Sequence, residues 1–253
     1  MKGVLLAGGL GTRLRPLTSC VNKHILPVYN QPMIFFPLHT LAEAGIKDVL
    51  VVVGGQSTEE IMKLLKDGRE FGFNRLYYVY QEGEGGIAAA LSLAEEFVDG
   101  SQMCVILGDN ILRESIYPAV QDFERQSREG AGLFLTRVRD PQNYGCVLYD
   151  GATARIVEKP DRILVNSSTP IVIGVYLYDS TVFEKIRQCK VSPRGELEIS
   201  DVNNFYLQEK KFELYSVSGF WGDAGSSIAG WLEVSKQVEQ WSVLEKKQSL
   251  FAV

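Results

Sequence analysis

The sequence is poor in the residues that announce a disulfide scaffold, a zinc finger or a membrane span. Its four cysteines, Cys20, Cys104, Cys146 and Cys189, are scattered, with no C-x-x-C pair and no metal-like spacing. That pattern fits reduced thiols and excludes a disulfide framework. The longest apolar stretches, such as VLVVV at 49–53, are far too short to cross a bilayer. The amino terminus carries none of the basic region, long apolar segment and cleavage site of a signal peptide. A cytoplasmic protein with no membrane partner is expected. Positive charge is also in deficit: a net charge of −5 gives no broad footprint for nucleic acid, so any anion must be held by a local group of cations. No repeat of roughly 20 to 50 residues is present, and no Gly/Ser or Pro linker divides the chain, so a single domain over 1–253 is expected.

What is present is ordinary globular composition, 45% hydrophobic and 23% charged, which argues against disorder and allows a sizeable core. KGVLL is a short apolar run that stops at Ala7-Gly8-Gly9 and reads as a buried strand entering a loop. Pro32 can open a helix whose apolar residues Ile34, Leu38, Leu41 and Ala42 recur at helical spacing up to Gly45. A buried strand at 48–55, a helix over 58–66, a strand over 75–81, a helix over 87–97 and a strand over 103–107 follow. This alternation predicts a Rossmann-like, doubly wound, predominantly parallel α/β sheet. Beyond Gly130 strands succeed one another, at 132–138, 145–149, 154–158 and 171–178, which predicts an antiparallel addition. Helical patterns return at 181–187, 198–209 and 227–250, the last with Ile228, Trp231, Val234, Val238 and Trp241 on one face, suited to core or interface.

The loop LAGGLGTRLRP, Leu6 to Pro16, crowds three glycines ahead of two arginines. Glycines permit positive φ and let backbone N–H groups approach a ligand, so such a loop can cradle phosphate. It is neither of the common phosphate motifs. A G-x-G-x-x-G starting at Gly9 would need glycine where Leu14 stands, and a Walker A loop would need Gly-Lys-Ser/Thr at Gly11-Thr12-Arg13. A tight structural turn therefore remains open at this point. Asp109 lies just past a buried strand, where open α/β sheets bind ligands, and Asp223 sits in the glycine-flanked segment FWGDAGS. Two such carboxylates suit Mg²⁺, which takes few protein oxygens and leaves positions for phosphate; either alone reads better as a turn or helix cap.

LAGGLGTRLRPLT, NKHILPVYNQPMI, LGDN, VEKP, RGELEISDVN and WGDAG, in this order across nearly the whole chain, resemble the sugar-1-phosphate nucleotidylyltransferases, most closely the glucose-1-phosphate thymidylyltransferases. The resemblance implies a reaction in which dTTP and glucose 1-phosphate give a nucleotide sugar and pyrophosphate with Mg²⁺. It divides the domain into a nucleotide-binding half (about 1–130), a sugar-phosphate half (about 131–225) and a C-terminal helix (226–253). Position by position, Leu6, Gly8, Gly9, Gly11, Thr12 and Arg13 fall on the triphosphate loop, with Arg13 on the leaving pyrophosphate. Lys23 falls on a second phosphate-binding cation. Gln81 and Gly86 fall on base-reading positions, and Asp109 and Asp223 on the metal ligands. Tyr144, Gly145, Glu158, Lys159, Val172 and Arg194 fall on the sugar-phosphate pocket, where Lys159 would grip the attacking phosphate.

The implied chemistry asks little of histidine. A phosphate monoester with its second pKa near 6 is mostly dianionic at about pH 7 and attacks without a protein base. The chain holds only His24 and His39; His39 reads as structural, and His24 at most touches substrate. Three positions depart from the pattern, Ala89 where relatives often carry glutamine, Ile173 at a common threonine position, and Ser226-Ser227 in place of Thr-His; Ala89 and Ile173 bear on base or sugar preference, not on the reaction class. Transfer from UTP, use of another hexose 1-phosphate, or a non-catalytic nucleotide-sugar sensor are the alternatives. A homo-oligomer is compatible with the pattern. The chain ends soon after its last helix, whereas longer thymidylyltransferases continue with helices used in feedback regulation, so the resemblance does not carry over a regulatory site of that kind or the tetramer built with it.

Overall fold

In a computed structural model, residues 1–126, 129–151 and 153–250 are described, with side chains as far as residue 242; residues 251–253, assigned to the C-terminal segment in the sequence, lie outside them. The chain opens with β1 (Lys2–Ala7), a minimal hairpin of β2 (Pro27–Val28) and β3 (Gln31–Pro32), and α1 (Phe35–Glu43). Pro32 therefore pairs in β3 and does not open the helix, which starts three residues later with Ile34 at its N-cap. Then come β4 (Asp48–Gly54), α2 (Thr58–Leu65) and β5 (Arg75–Gln81). The expected helix over 87–97 is broken into α3 (Ile87–Ser92) and α4 (Glu95–Val98), joined through Leu93 and Ala94. β6 (Met103–Leu107) and β7 (Asn110–Leu112) precede α5 (Tyr117–Arg125), a helix not among the expected elements.

The second half contains β8 (Ala131–Thr136), β9 (Gly145–Asp150), β10 (Thr153–Glu158) and β11 (Ile171–Tyr178). After these come α6 (Val182–Gln188), α7 (Ile199–Glu209), β12 (Phe212–Ser216), β13 (Trp221–Asp223) and α8 (Ile228–Leu250). The main sheet runs β10-β9-β11-β6-β1-β4-β5, with β8 and β12 branching from β11. β5, β4, β1 and β6 are mutually parallel. β11 joins β6 antiparallel and carries β8 and β9 antiparallel beside it, as expected. β12, unread in the sequence, adds parallel to β8.

The central parallel strands β1, β4 and β6 read as continuous apolar runs because both faces are covered, whereas β5 at the edge is partly exposed. Val4, Leu6, Leu50, Val52, Met103 and Val105 enter one core, and Leu5, Val49, Val51, Val53, Cys104 and Ile106 enter the other. A third cluster, built on Leu14, Val28, Met33, Ile111, Ala224, Val234 and Val238, fastens α8 beneath the loop after β1, with Trp231 and Trp241 packed against it. The apolar stripe of the last helix is core. Parallel alignment has one consequence for the site: the carboxyl ends of β1, β4, β5 and β6 open on the same edge, and the antiparallel β11 brings its amino end there.

Candidate active site

At that edge the chain leaves β1 through the glycine loop. Gly11 takes φ +67, a conformation that glycine adopts without strain. A short turn at Thr12–Leu14 then buries Leu14 completely. Thr18 Oγ1 donates to Gly11 O at 2.7 Å and closes the loop. Gly8 answers a different need, because any Cβ there would run into Oε1 of Gln81, the last residue of β5. The loop is bare at Gly8 so that the amide of Gln81 can lie across it.

Lys23 sits in a tight turn, Lys23–Ile25, whose N-cap Asn22 accepts from His24 N at 3.0 Å. Its ammonium reaches Asp109 Oδ2 at 2.5 Å, with both side chains about nine-tenths buried. Asp109 follows β6 and Asp223 ends β13. The antiparallel pairing of β7 with β13 sets Asp223 opposite Asn110, and Ala224 N donates to Asp109 O at 2.9 Å. Two carboxylates more than a hundred residues apart in sequence are thus neighbours. Gly225 N donates to Asp223 Oδ1 at 2.9 Å.

The electrostatics follow from that proximity. Burial and the charge of Asp109 push Asp223 up to about 6, against the lowering influence of Lys23 and Arg13. Burial also acts to raise Asp109, but Lys23, His24 and the hydrogen bonds from Lys23 and Asn110 outweigh it and hold Asp109 well below the usual carboxylate range. His24, expected at most to touch substrate, is 1% exposed and shares a 2.8 Å hydrogen bond with Asn22 Oδ1. Burial, aided by Lys23, drives its pKa down to about 3, so it is a neutral part of the floor with no proton to exchange near pH 7. His39 lies on α1 against the rings of Phe35 and Phe71, a structural place.

A cleft of about 430 Å³ is lined by Leu6, Gly8, Gly9, Gly11, Thr12, Arg13, Lys23, Gln81, Gly86, Asp109 and Arg194. An inner pocket of about 130 Å³ is lined by Tyr144, Gly145, Val172 and Asp223, and Glu158 and Lys159 face both. Every residue that the resemblance assigned to the site therefore lines one or both of these adjoining pockets, whereas Ala89 and Ile173 line neither. Leu6 and Val172 are mostly core, at 6% and 8% exposure, and show only an edge to them. Lys159 follows β10 with φ +44, a left-handed conformation rare for lysine; its N–H donates to Tyr144 O at 3.1 Å. Glu158 accepts from Ser200 Oγ at 2.6 Å, and burial pushes its carboxyl up. Arg194 stands at the rim, held by Glu196 at 3.1 Å, Glu198 at 3.2 Å and Glu158 at 3.7 Å.

Asn110, the last residue of LGDN, has no role expected from the sequence. Its Nδ2 donates to Asp109 Oδ1 at 3.0 Å, while its Oδ1 accepts from Gly174 N at 2.9 Å and from Trp221 Nε1 at 2.7 Å. It ties β6, β11 and β13 together beneath the two carboxylates. A polar residue directly after a site aspartate was the available signal. Glu196 and Glu198, also missed as lining residues, lie within the quoted RGELEISDVN.

The model of the nucleotidyl transferase family matches residues 2–240 of this chain. The chain belongs to the nucleotidyl transferases. A glucose-1-phosphate thymidylyltransferase of Neisseria gonorrhoeae is 40% identical over 230 residues, 89% of this chain and 78% of that protein. One of Actinoplanes sp. is 41% identical over 233 residues, 89% of this chain and 74% of its own. A Bacillus anthracis crystal structure assigned as a glucose-1-phosphate thymidylyltransferase, in complex with a sucrose, shares 41% identity and a TM-score of 0.85, with 94% of each chain covered. A UDP-glucose pyrophosphorylase complexed with UDP-glucose, at 22% identity and a TM-score of 0.81, shares the fold. Among the described residues of this transferase no helix is long and apolar enough to cross a membrane.

Proposed function

We propose that the protein transfers a thymidylyl group from dTTP to α-D-glucose 1-phosphate, giving dTDP-glucose and pyrophosphate, as a single cytoplasmic catalytic domain. The observation that carries this is the convergence on one edge of the bare loop after β1, the cations Arg13, Lys23 and Lys159, and the paired carboxylates Asp109 and Asp223. The thymidylyltransferase names of relatives at about 40% identity supply the choice of substrates.

A phosphate oxygen of the sugar attacks the α-phosphorus, a new P–O bond forms, and the α–β bridging bond breaks to release pyrophosphate. No protein base is needed, since the sugar phosphate arrives largely deprotonated. Lys159 orients the attacking phosphate beside the pocket of Tyr144, Gly145 and Glu158. Arg13 and the loop amides take up charge that accumulates on the departing pyrophosphate. Lys23 holds Asp109 in place and lends a second positive charge.

Asp109 and Asp223 fit a divalent cation: both are hard oxygen donors, and the elevated pKa of Asp223 beside Asp109 marks two like charges that a cation would neutralise. Mg²⁺ held there would supply further neutralisation of the triphosphate. Gln81 offers one donor and one acceptor to the O4/N3 edge common to thymine and uracil, so discrimination between dTTP and UTP falls to the methyl and the 2′-hydroxyl. A methyl in an apolar pocket is worth about 1–3 kcal/mol.

The test is pyrophosphate release from purified protein with Mg²⁺, glucose 1-phosphate and dTTP, UTP, CTP or ATP in turn. Turnover with dTTP at the highest kcat/KM is expected. Preference for UTP would reassign the nucleotide, and binding without release for every nucleotide would replace the enzyme with a sensor.

A further inference from the structure

Beyond the cleft and inner pocket lies an outer vestibule of about 520 Å³. Three cationic side chains line it, Arg13, Arg139 and Lys159, with Asp140 the one carboxylate among its lining residues. It shares Arg13, Asn143, Tyr144 and Lys159 with the inner pocket, but only Arg13 and Lys159 with the larger cleft. The vestibule therefore leads inward toward the pocket of Tyr144, Gly145 and Glu158.

Among the described residues, nothing engages Arg139. It is exposed, in the loop after β8, and forms no ion pair or hydrogen bond among the described residues. Its neighbours are engaged: Arg137 Nε donates to Ser168 O at 3.0 Å, and Asp140 Oδ1 accepts from Gln142 Nε2 at 3.2 Å. Arg194, by contrast, is surrounded by carboxylates. An uncompensated guanidinium at a cationic mouth, in a chain whose net charge is −5, is a local reversal of the overall field. Such a mouth concentrates anions of opposite sign and raises their capture rate, an effect that salt screens.

We propose that Arg139 is an entry residue for the sugar phosphate: with Arg13 and Lys159 it forms a positively charged mouth that draws the phosphate dianion into the inner pocket. This rests on the reaction proposed above. Arg139 acts on capture and leaves the bond-making step to others, so it belongs to kcat/KM for the sugar phosphate and not to kcat.

The experiment compares wild type with Arg139→Glu, Arg139→Ala and Arg139→Lys at saturating dTTP, varying glucose 1-phosphate at several ionic strengths. Arg139→Glu is expected to lower kcat/KM for glucose 1-phosphate roughly tenfold at low salt, with the deficit shrinking as salt rises. Arg139→Lys should retain most of the wild-type value, and kcat and the KM for dTTP should not move. Titration calorimetry with glucose 1-phosphate, which requires no turnover, should show weaker binding to Arg139→Glu. Equal kcat/KM and equal salt dependence in Arg139→Glu would overturn the proposal, and so would a loss falling on dTTP instead, which would give the vestibule to the triphosphate. Wild type that bound glucose 1-phosphate through Arg139 yet released no pyrophosphate would sink the proposed reaction and leave this entry role standing.

Discussion

Lys23 Nζ lies 2.5 Å from Asp109 Oδ2, with 11% and 10% of their side chains exposed, and Asp223 faces the same pair across the β7–β13 ladder. The ammonium of Lys23 thus acts on both carboxylates, with Arg13 also acting on Asp223. Removing one partner from a buried pair leaves the other desolvated and uncompensated, at a cost on the order of 3 kcal/mol. Lys23→Met should lose about that much stability in urea unfolding, and Mg²⁺ should restore part of it. Unchanged unfolding would show that the pair is not a structural charge balance.

Asp223 gives the site a pH signature. Its folded pKa, about 6, lies above the ordinary 3.8, so the native state holds this proton more tightly than the unfolded chain. The associated stability is complete below about 3.8 and is lost as pH rises through about 6. A divalent cation binds the ionised form, so its stabilising effect should grow over the same interval. Thermal unfolding at about pH 4.5 and pH 7.5, with and without Mg²⁺, should show a larger Mg²⁺ shift at the higher pH. Asp223→Asn should flatten that difference, and an equal Mg²⁺ shift at both pH values would remove Asp223 from the metal site.

Arg13 borders the cleft, the inner pocket and the vestibule alike. Arg13→Ala should lower kcat by on the order of 10³, the scale set by a phosphate-stabilising arginine. Wild-type turnover in single-turnover measurements would refute its place at the leaving group.

Gly8→Ala would force Gln81 from its seat, since the added methyl and Oε1 of Gln81 claim the same space. The KM for nucleotide should rise, with no further rise in the double variant Gly8→Ala/Gln81→Ala relative to Gln81→Ala alone. Additive effects in that cycle would separate the two residues.

Asn110→Ala strands Gly174 N and Trp221 Nε1 without their acceptor and frees Asp109 Oδ1 of one donor. A stability loss of about 1–3 kcal/mol should accompany a shift in Trp221 fluorescence and weaker Mg²⁺ binding. A variant that keeps its tryptophan spectrum and Mg²⁺ affinity would reduce Asn110 to a bystander.

Much of the architecture was legible in the chain because strands buried on both faces must be continuously apolar. β4, β6 and β11 fall where their apolar runs place them. The gaps have different causes. α5 does carry a helical signal, Ile116, Val120 and Phe123 buried at i, i+4 and i+7, so its spacing was there to be read. β12, only partly buried, exists because β8 offers it a free parallel edge. Pro32 obeys the hairpin with β2 over its own preference for a helix start.

Short-range chemistry is written in the sequence itself: which loop lacks side chains, which strands are continuous enough to be buried, and which residue types could meet phosphate. Those properties depend on neighbours along the chain, and steric and solvation rules act at that range. Only the tertiary structure decided that Asp223 pairs opposite Asn110, that Gln81 fills the space above Gly8, that His24 is buried in the floor of the cleft, and that Arg139 has no partner among the described residues. Each of these follows from how segments far apart in sequence are brought together by the order and direction of strands in the sheet, which local periodicity does not encode.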